Sequence, residues 1–259
     1  MSPVALARRG GEGPPLVLVH GWASHSGVWD AVARELAGHF SLYLADLPGH
    51  GASAEPGEDD PLEKAAQEIL SCVPPEATWV GWSLGGLVAL SAAREARGGV
   101  GRLVLVASTP RFVSGPDWPH GVPVATLERF AEDLGRDLEG TLARFIALQT
   151  RGSERATQVA RALRQRLREG PAPSGAGLRR GLHWLRESDL RDALRRVACP
   201  VHVLLGERDT LVPPECLGDI LALRPDAEGT VLPGSGHAPF LSDPRGFSDF
   251  LLRGCLRVA

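Results

Sequence analysis

Short apolar runs alternate with helical patterns in the first and last parts of the chain. A continuous apolar run is typical of a strand that is covered on both faces of a sheet. The predicted strands are Leu16–His20, Phe40–Ala45, Ala77–Val80, Arg102–Ala107, Cys199–Gly206 and Gly229–Leu232. The predicted helices are Trp29–Ala37, Leu62–Cys72, Leu84–Ala96, Glu215–Leu223 and Asp243–Leu256. This alternation predicts βαβ units, and therefore an α/β fold with a mostly parallel central sheet flanked by helices.

The pattern changes between Arg111 and Arg196, where no apolar strand is visible. The predicted helices of this part are Val124–Leu134, Leu138–Thr150, Glu154–Arg168 and Leu190–Val197, and the set is interrupted by Pro171, Pro173 and Gly175. We therefore predict an α/β core from residues 1–109 and 197–259. Residues 110–196 are predicted to form an inserted helical lid over the site.

A serine lies between the predicted strand at Ala77 and the helix at Leu84. Ser83 has glycine two places away on either side, in the pattern G-x-S-x-G. Such a sharp strand-to-helix turn presents the serine hydroxyl at a helix N-terminus, where free N–H groups can face an oxyanion. A glycine-rich turn with an incidental serine is the alternative interpretation.

Two loops that follow later strands supply a candidate acid and base. Asp209 follows the strand that ends at Gly206, and His237 follows the last predicted strand. The order serine, acid, histidine is the order that this kind of turn requires. We predict that His237 takes the Ser83 proton and that Asp209 orients the imidazole. Glu207 is the competing acid. The alternative for Asp209 is a residue that only forms a turn, and the alternative for His237 is a residue of a glycine-rich loop.

The oxyanion hole needs two backbone donors, which we predict to be the N–H groups of Leu84 and Trp22. Trp22 follows the first predicted strand, and Trp82 immediately precedes the serine. We expect both indoles to line the substrate pocket, with ordinary core packing as the alternative for Trp82. His20 and His50 are interpreted as structural residues of their loops.

Composition narrows the class of protein without changing this site. The 259 residues are 43% hydrophobic with a net charge of −3, which suits one globular α/β domain. Four separated cysteines without a C-x-x-C pair indicate neither a disulfide framework nor a zinc site. No signal peptide or long apolar span is apparent, so we expect a cytoplasmic monomer that needs no metal or cofactor and binds neither membranes nor nucleic acid.

Arginine is concentrated in the predicted lid. Seven arginines between residues 141 and 168 stand against one acidic residue, Glu154. Arg161, Arg164 and Arg168 share a helix face by their spacing. This surface favours a large anionic partner, with a solvated face as the alternative.

Several segments together resemble the α/β-hydrolase family and, within it, the pimeloyl-acyl-carrier-protein methyl ester carboxylesterases of biotin synthesis. The segments are Val19–Trp22, Val28–Trp29, Ala45–Gly49, Gly81–Val88, Arg144–Thr150, Asp189–Arg191 and His237–Phe240. The resemblance implies hydrolysis of a methyl ester on a pimeloyl chain that is bound to an acyl carrier protein. It implies a triad of Ser83, Asp209 and His237, with oxyanion donors Trp22 and Leu84.

For the lid, the resemblance implies that Phe145 faces the substrate and that arginines contact the acidic carrier. The candidates are Arg144, Arg151, Arg155, Arg161 and Arg164. The chain departs from the family pattern at Gly140 and Thr157, where the family carries arginine.

Three other functions remain open on the sequence. The same triad serves a general short-chain esterase, or a C–C hydrolase or lyase that acts on a small carboxylated metabolite. A non-catalytic binding module is the third alternative. Dehalogenase chemistry is disfavoured because the turn carries serine rather than aspartate.

Overall fold

The computed structural model describes residues 4–95 and 99–255. Its strands are β1 (Leu6–Gly10), β2 (Pro15–Val19), β3 (Ser41–Ala45), β4 (Ala77–Trp82), β5 (Val100–Val106), β6 (Val201–Gly206) and β7 (Glu228–Leu232). Its helices are α1 (Asp30–Leu36), α2 (Leu62–Leu70), α3 (Leu84–Glu95), α4 (Val124–Arg136), α5 (Leu138–Thr150), α6 (Ala156–Glu169), α7 (Gly175–Glu187), α8 (Arg191–Arg196), α9 (Cys216–Leu223), α10 (Pro239–Ser242) and α11 (Pro244–Cys255). The predicted helix ends at Ala96 and Leu256 lie outside the described residues.

The strands form one sheet in the order β1-β3-β2-β4-β5-β6-β7. Every pair is parallel except β1 with β3, which is antiparallel. This topology confirms the predicted α/β fold. The sequence analysis missed β1 because its residues are mostly exposed and polar, so an edge strand of this kind shows no apolar run.

Two hydrophobic layers cover the two faces of the sheet. Successive residues of β2 point to opposite faces, so that Leu16 and Leu18 join one layer while Val17 and Val19 join the other. Helices α1 and α11 pack on the face of Leu16, and α2 and α3 pack on the opposite face. The sheet is thus buried on both sides, as its continuous apolar strands predict.

Helices α4 to α8 lie between β5 and β6, in the lid segment (residues 110–196). Helix α7 was missed in the sequence analysis, which treated Pro171, Pro173 and Gly175 only as interruptions. Pro171 and Pro173 precede a helix that begins at Gly175, and its N-cap is Ser174, whose side chain accepts a hydrogen bond from the N–H of Gly177. Four large side chains of α7 are buried: Leu178, Leu182, Trp184 and Leu185.

Hydrogen bonds attach the lid segment to the core on two sides. At the start of α7, the N–H of Ser174 donates to the carbonyl of Gly49 over 2.8 Å. At the end of α6, His25 Nε2 donates to the carbonyl of Arg166 over 2.6 Å, and the Arg166 guanidinium pairs with Asp30 at 2.9 Å. The lid is therefore closed onto the core in this structure.

Within the described ranges, no helix combines the length and apolar character needed to cross a membrane.

Candidate active site

Ser83 occupies a strained turn between β4 and α3. Its φ angle is +54°, in the left-handed region that non-glycine residues rarely adopt. A methyl group added at either flanking glycine would collide with the backbone. A Cβ on Gly81 would lie 2.3 Å from the Gly85 carbonyl oxygen, and a Cβ on Gly85 would lie 2.4 Å from the Val19 carbonyl oxygen. Only glycine permits this close approach, which explains why the serine is bracketed as it is.

Ser108 supports the turn, a contact that the sequence analysis did not anticipate. Its hydroxyl donates to the Ser83 carbonyl over 2.8 Å. A Cβ on Gly86 would lie 2.2 Å from the Ser108 oxygen, so this contact also requires glycine at position 86. In the sequence, the second glycine of the Gly85–Gly86 pair is the one indication that another group packs closely against this turn.

The three predicted catalytic side chains form one hydrogen-bonded chain. His237 Nε2 lies 2.9 Å from Ser83 Oγ, and His237 Nδ1 lies 2.8 Å from Asp209 Oδ2. All three residues are at most 4% exposed. Because a carboxylate only accepts, Nδ1 carries the proton and Nε2 is left to accept from the serine hydroxyl. This is the arrangement that a serine nucleophile with a histidine base requires.

The other carboxylate oxygen fixes Asp209 itself. Oδ1 accepts from the backbone N–H groups of Leu211 at 2.8 Å and Val212 at 3.0 Å. The competing acid Glu207 is exposed and accepts from the N–H of Gly234 over 2.8 Å. Glu207 therefore supports the start of the loop that carries His237, whereas Asp209 contacts the His237 imidazole.

The two predicted oxyanion donors flank the serine. Gly21 packs against Ser83, since a Cβ added there would lie 3.2 Å from the Ser83 Cβ. Within the described residues (4–95 and 99–255), neither the N–H of Trp22 nor that of Leu84 donates to a protein acceptor. Both groups remain available to stabilise negative charge on a bound carbonyl oxygen.

Two buried histidines hold the loop that carries Trp22. His20 Nδ1 donates to the carbonyl of Gly21 over 2.8 Å, and its Nε2 accepts from the N–H of Leu47 over 3.0 Å. His50 Nε2 accepts from the N–H of Ala23 over 3.3 Å. Ala23 itself has φ +56°, so this hydrogen bond supports a strained backbone.

Burial sets the charge of both histidines. Desolvation, reinforced by His50, lowers the pKa of His20 from 6.5 to about 3. Desolvation also lowers the pKa of His50. Both imidazoles are therefore neutral near pH 7, and each keeps a free ring nitrogen that accepts a backbone N–H.

Trp22 and Phe145 bring the lid onto the site. Their rings meet edge to face with centroids 4.6 Å apart, and Trp22 Nε1 donates to the carbonyl of Leu178 over 2.8 Å. Both residues, with Trp82, line a cavity of about 10 Å³ beside the serine turn, which is room for a single water molecule. A cavity of this size does not hold an acyl chain, so we expect the predicted lid to move when the substrate binds.

The predicted carrier-binding arginines fall into two groups. Arg144 pairs with Asp133 at 3.2 Å and Asp137 at 3.5 Å, and Arg155 donates to the carbonyl of Ser242 over 2.7 Å. In the second group, Arg151, Arg161 and Arg164 are exposed, and their side chains have neither a hydrogen bond nor an ion pair within the described part of the chain. The expectation of an unbalanced arginine cluster is thus wrong for Arg144, because its acidic partners precede the stretch from residue 141 that was counted.

Across the part of the chain that the structure describes, no three His, Cys, Asp or Glu side chains are grouped as metal ligands would be.

Comparison with known proteins identifies the family of this chain. The family model described as "Alpha/beta hydrolase family" matches residues 16–250. The chain belongs to the alpha/beta hydrolase family, as the sequence predicts. Among solved structures, it is similar to a thermophilic esterase from Thermogutta terrifontis, with a TM-score of 0.81, 26% identity and coverage of 98% of this chain and 93% of the other. An esterase from Rhodococcus sp. gives a TM-score of 0.80 at 27% identity, with coverage of 99% and 95%.

Curated relatives match over nearly the whole chain. A protein of Xanthomonas oryzae named pimeloyl-[acyl-carrier protein] methyl ester esterase is 44% identical over 94% of this chain and 95% of its own. Proteins with the same name from Stenotrophomonas maltophilia and Klebsiella pneumoniae are 46% and 45% identical, covering 89% and 93% of this chain and 88% and 94% of their own.

Proposed function

We propose that this protein is a serine carboxylesterase that hydrolyses the methyl ester of pimeloyl-[acyl-carrier protein]. The reaction class is supported above all by the hydrogen-bonded chain from Ser83 through His237 to Asp209. The substrate is supported by three relatives of this name at 44–46% identity. The biotin pathway comes from the sequence resemblance and agrees with this substrate.

In the first half of the reaction, Ser83 Oγ attacks the ester carbonyl carbon while His237 Nε2 takes the hydroxyl proton. The N–H groups of Trp22 and Leu84 stabilise the negative carbonyl oxygen of the tetrahedral intermediate. When the bond to the methoxy oxygen breaks, His237 gives the proton to that oxygen, so that methanol leaves and an acyl-enzyme remains on Ser83.

Water completes the turnover. His237 takes a proton from water as the water oxygen attacks the acyl-enzyme carbonyl, and the ester bond to Ser83 then breaks. His237 gives this proton to Ser83 Oγ. The product is a free carboxylic acid at the end of the chain, and it is ionised at pH 7. The bond that joins the acyl chain to its carrier takes no part.

The test compares two substrates at two salt concentrations. We expect a higher kcat/KM for pimeloyl-carrier methyl ester than for a free short-chain methyl ester, and we expect high salt to lower only the carrier rate. Replacing the nucleophile, Ser83→Ala, should remove both activities in a protein that keeps its circular dichroism spectrum. Equal, salt-independent rates would leave an esterase without preference for the carrier. Activity that survives in Ser83→Ala would refute the mechanism.

A further inference from the structure

The indole of Trp82 makes a hydrogen bond to the residue that serves as general base. Trp82 Nε1 donates to the backbone carbonyl of His237 over 2.7 Å, and the indole is fully buried. Trp82 is also the residue immediately before Ser83. One side chain of the serine turn therefore reaches the main chain of the histidine that must meet the serine.

Hydrogen bonds tie the start of the loop that carries His237, at Gly234 and Ser235, to neighbouring segments. Residues 233–238 lie between β7 and α10 without regular secondary structure, and Gly234 has φ +65°. The N–H of His237 donates to the carbonyl of Gln149, at the end of lid helix α5, over 3.2 Å. Among the hydrogen bonds of the described residues, Trp82 is the one donor to the His237 carbonyl.

Aromatic packing fixes the direction of the Trp82 indole. Phe240, which follows the histidine loop, meets Trp82 edge to face with ring centroids 5.1 Å apart. Trp29 packs on the other side of Phe240 at 4.2 Å. Because all three rings are buried, the indole N–H has little freedom to turn away from the carbonyl.

We infer that Trp82 is a positioning residue, whose indole N–H sets the place of His237 relative to Ser83. The inference rests on the proposed serine–histidine mechanism. In the sequence analysis Trp82 was expected to line the pocket or to fill the core, and it also borders the small cavity. Its hydrogen bond adds a separate role, because proton transfer from Ser83 to His237 depends on a separation of about 3 Å that small displacements disturb.

Trp29 offers a matched control for the loss of an indole. It belongs to the same aromatic cluster and is equally buried, but its Nε1 has no hydrogen-bond partner in the described residues. Trp29→Phe and Trp82→Phe therefore remove similar ring area from one cluster. Trp82→Phe alone also removes a hydrogen bond to the base.

The experiment measures hydrolysis of a p-nitrophenyl ester and the rate at which a fluorophosphonate labels Ser83. For Trp82→Phe we expect both kcat and the labelling rate to fall about tenfold, with KM within about twofold of the wild-type value. For Trp29→Phe we expect kcat and labelling within about twofold of wild type, although the melting temperature falls in both variants.

Two results would overturn the inference: labelling of Trp82→Phe at the wild-type rate, or an equal loss in Trp29→Phe. Wild-type protein that resists labelling would instead refute the proposed function. If Trp82→Phe does not fold, β-(3-benzothienyl)alanine at position 82 keeps the bicyclic ring and replaces the N–H by sulfur. The same tenfold loss is expected there, and wild-type labelling by that variant would count equally against the inference.

Discussion

At the scale of single residues, His20 and His50 do their work as neutral side chains. Each donates from Nδ1 to a backbone carbonyl and accepts a backbone N–H at Nε2. Protonation of Nε2 would place a donor against a donor and would also charge a fully buried ring. The geometry of the loop that carries Trp22 therefore depends on the uncharged state of these two imidazoles.

This coupling predicts how stability depends on pH. The pKa of His20 falls from 6.5 in the unfolded chain to about 3 in the folded protein, so the unfolded state binds more protons between these values. The contribution of His20 is complete above pH 6.5 and is lost as the pH falls towards 3. At pH 5 this residue alone should lower the free energy of unfolding by about 2 kcal/mol relative to pH 7.5.

Urea unfolding of wild type and His20→Gln at both pH values checks this prediction. The variant should be less stable than wild type at pH 7.5 and should show a shallower decline towards pH 5. Parallel declines for the two proteins would show that His20 is not the group that titrates.

At the scale of elements, helix α7 meets both predicted oxyanion residues through one glycine. A Cβ on Gly181 would lie 2.6 Å from Trp22 Cδ1 and 3.1 Å from Leu84 Cδ2. Trp22 and Leu84 are almost fully buried, so neither can retreat without moving the serine turn or its neighbouring loop. Helix α7 of the predicted lid is therefore packed directly against both predicted oxyanion residues.

Gly181→Ala should push α7 outward or displace the donors. We expect a loss of about 1–3 kcal/mol in the free energy of unfolding and a fall in kcat of about tenfold on a p-nitrophenyl ester. Gly135→Ala is the control, because Gly135 lies in lid helix α4 with nothing within 4 Å of an added Cβ. It should keep full activity and gain up to about 1 kcal/mol in helix stability. Full activity in Gly181→Ala would show that the contact can relax without cost to catalysis.

The elements that sequence reasoning predicted are those with strong local signals. Parallel strands buried on both faces show continuous apolar runs, and the serine turn shows its two glycines. Helix α7 was not predicted because the prolines that precede it are typical of a loop, and the N-cap at Ser174 follows them directly. The indole hydrogen bonds of Trp22 and Trp82 could not be predicted either, since each joins residues more than 150 positions apart.

At the scale of the whole molecule, charge is divided unequally along the chain. Residues 110–196 contain sixteen arginines and eleven acidic residues, a net charge of +5, although the whole chain has −3. The rest of the chain therefore has a net charge of −8. Among the arginines of α6, Arg161 and Arg164 are exposed and without ion-pair partners in the described ranges. We expect these side chains to help attract an acidic carrier from solution.

Reversing both charges, Arg161→Glu with Arg164→Glu, should raise KM for the carrier-bound ester about tenfold at low salt. Hydrolysis of a free methyl ester should not change, because neither side chain lines the cavity at the serine turn. The matched control is Arg34→Glu with Arg253→Glu, which makes the same change in net charge on α1 and α11 of the core. Equal effects of the two double variants would mean that only the overall charge matters.

The same division of charge gives the predicted lid a net positive charge and the rest of the chain a net negative charge. At low ionic strength we expect the positive lid of one copy to be attracted to the negative core of another, which would join copies head to tail. Such chains would cover the lid at the salt concentrations where carrier binding should be tightest. Their formation depends on protein concentration, whereas encounter with the carrier at enzyme levels far below the substrate does not. Rates measured at several enzyme concentrations therefore separate self-attraction from recognition of the substrate.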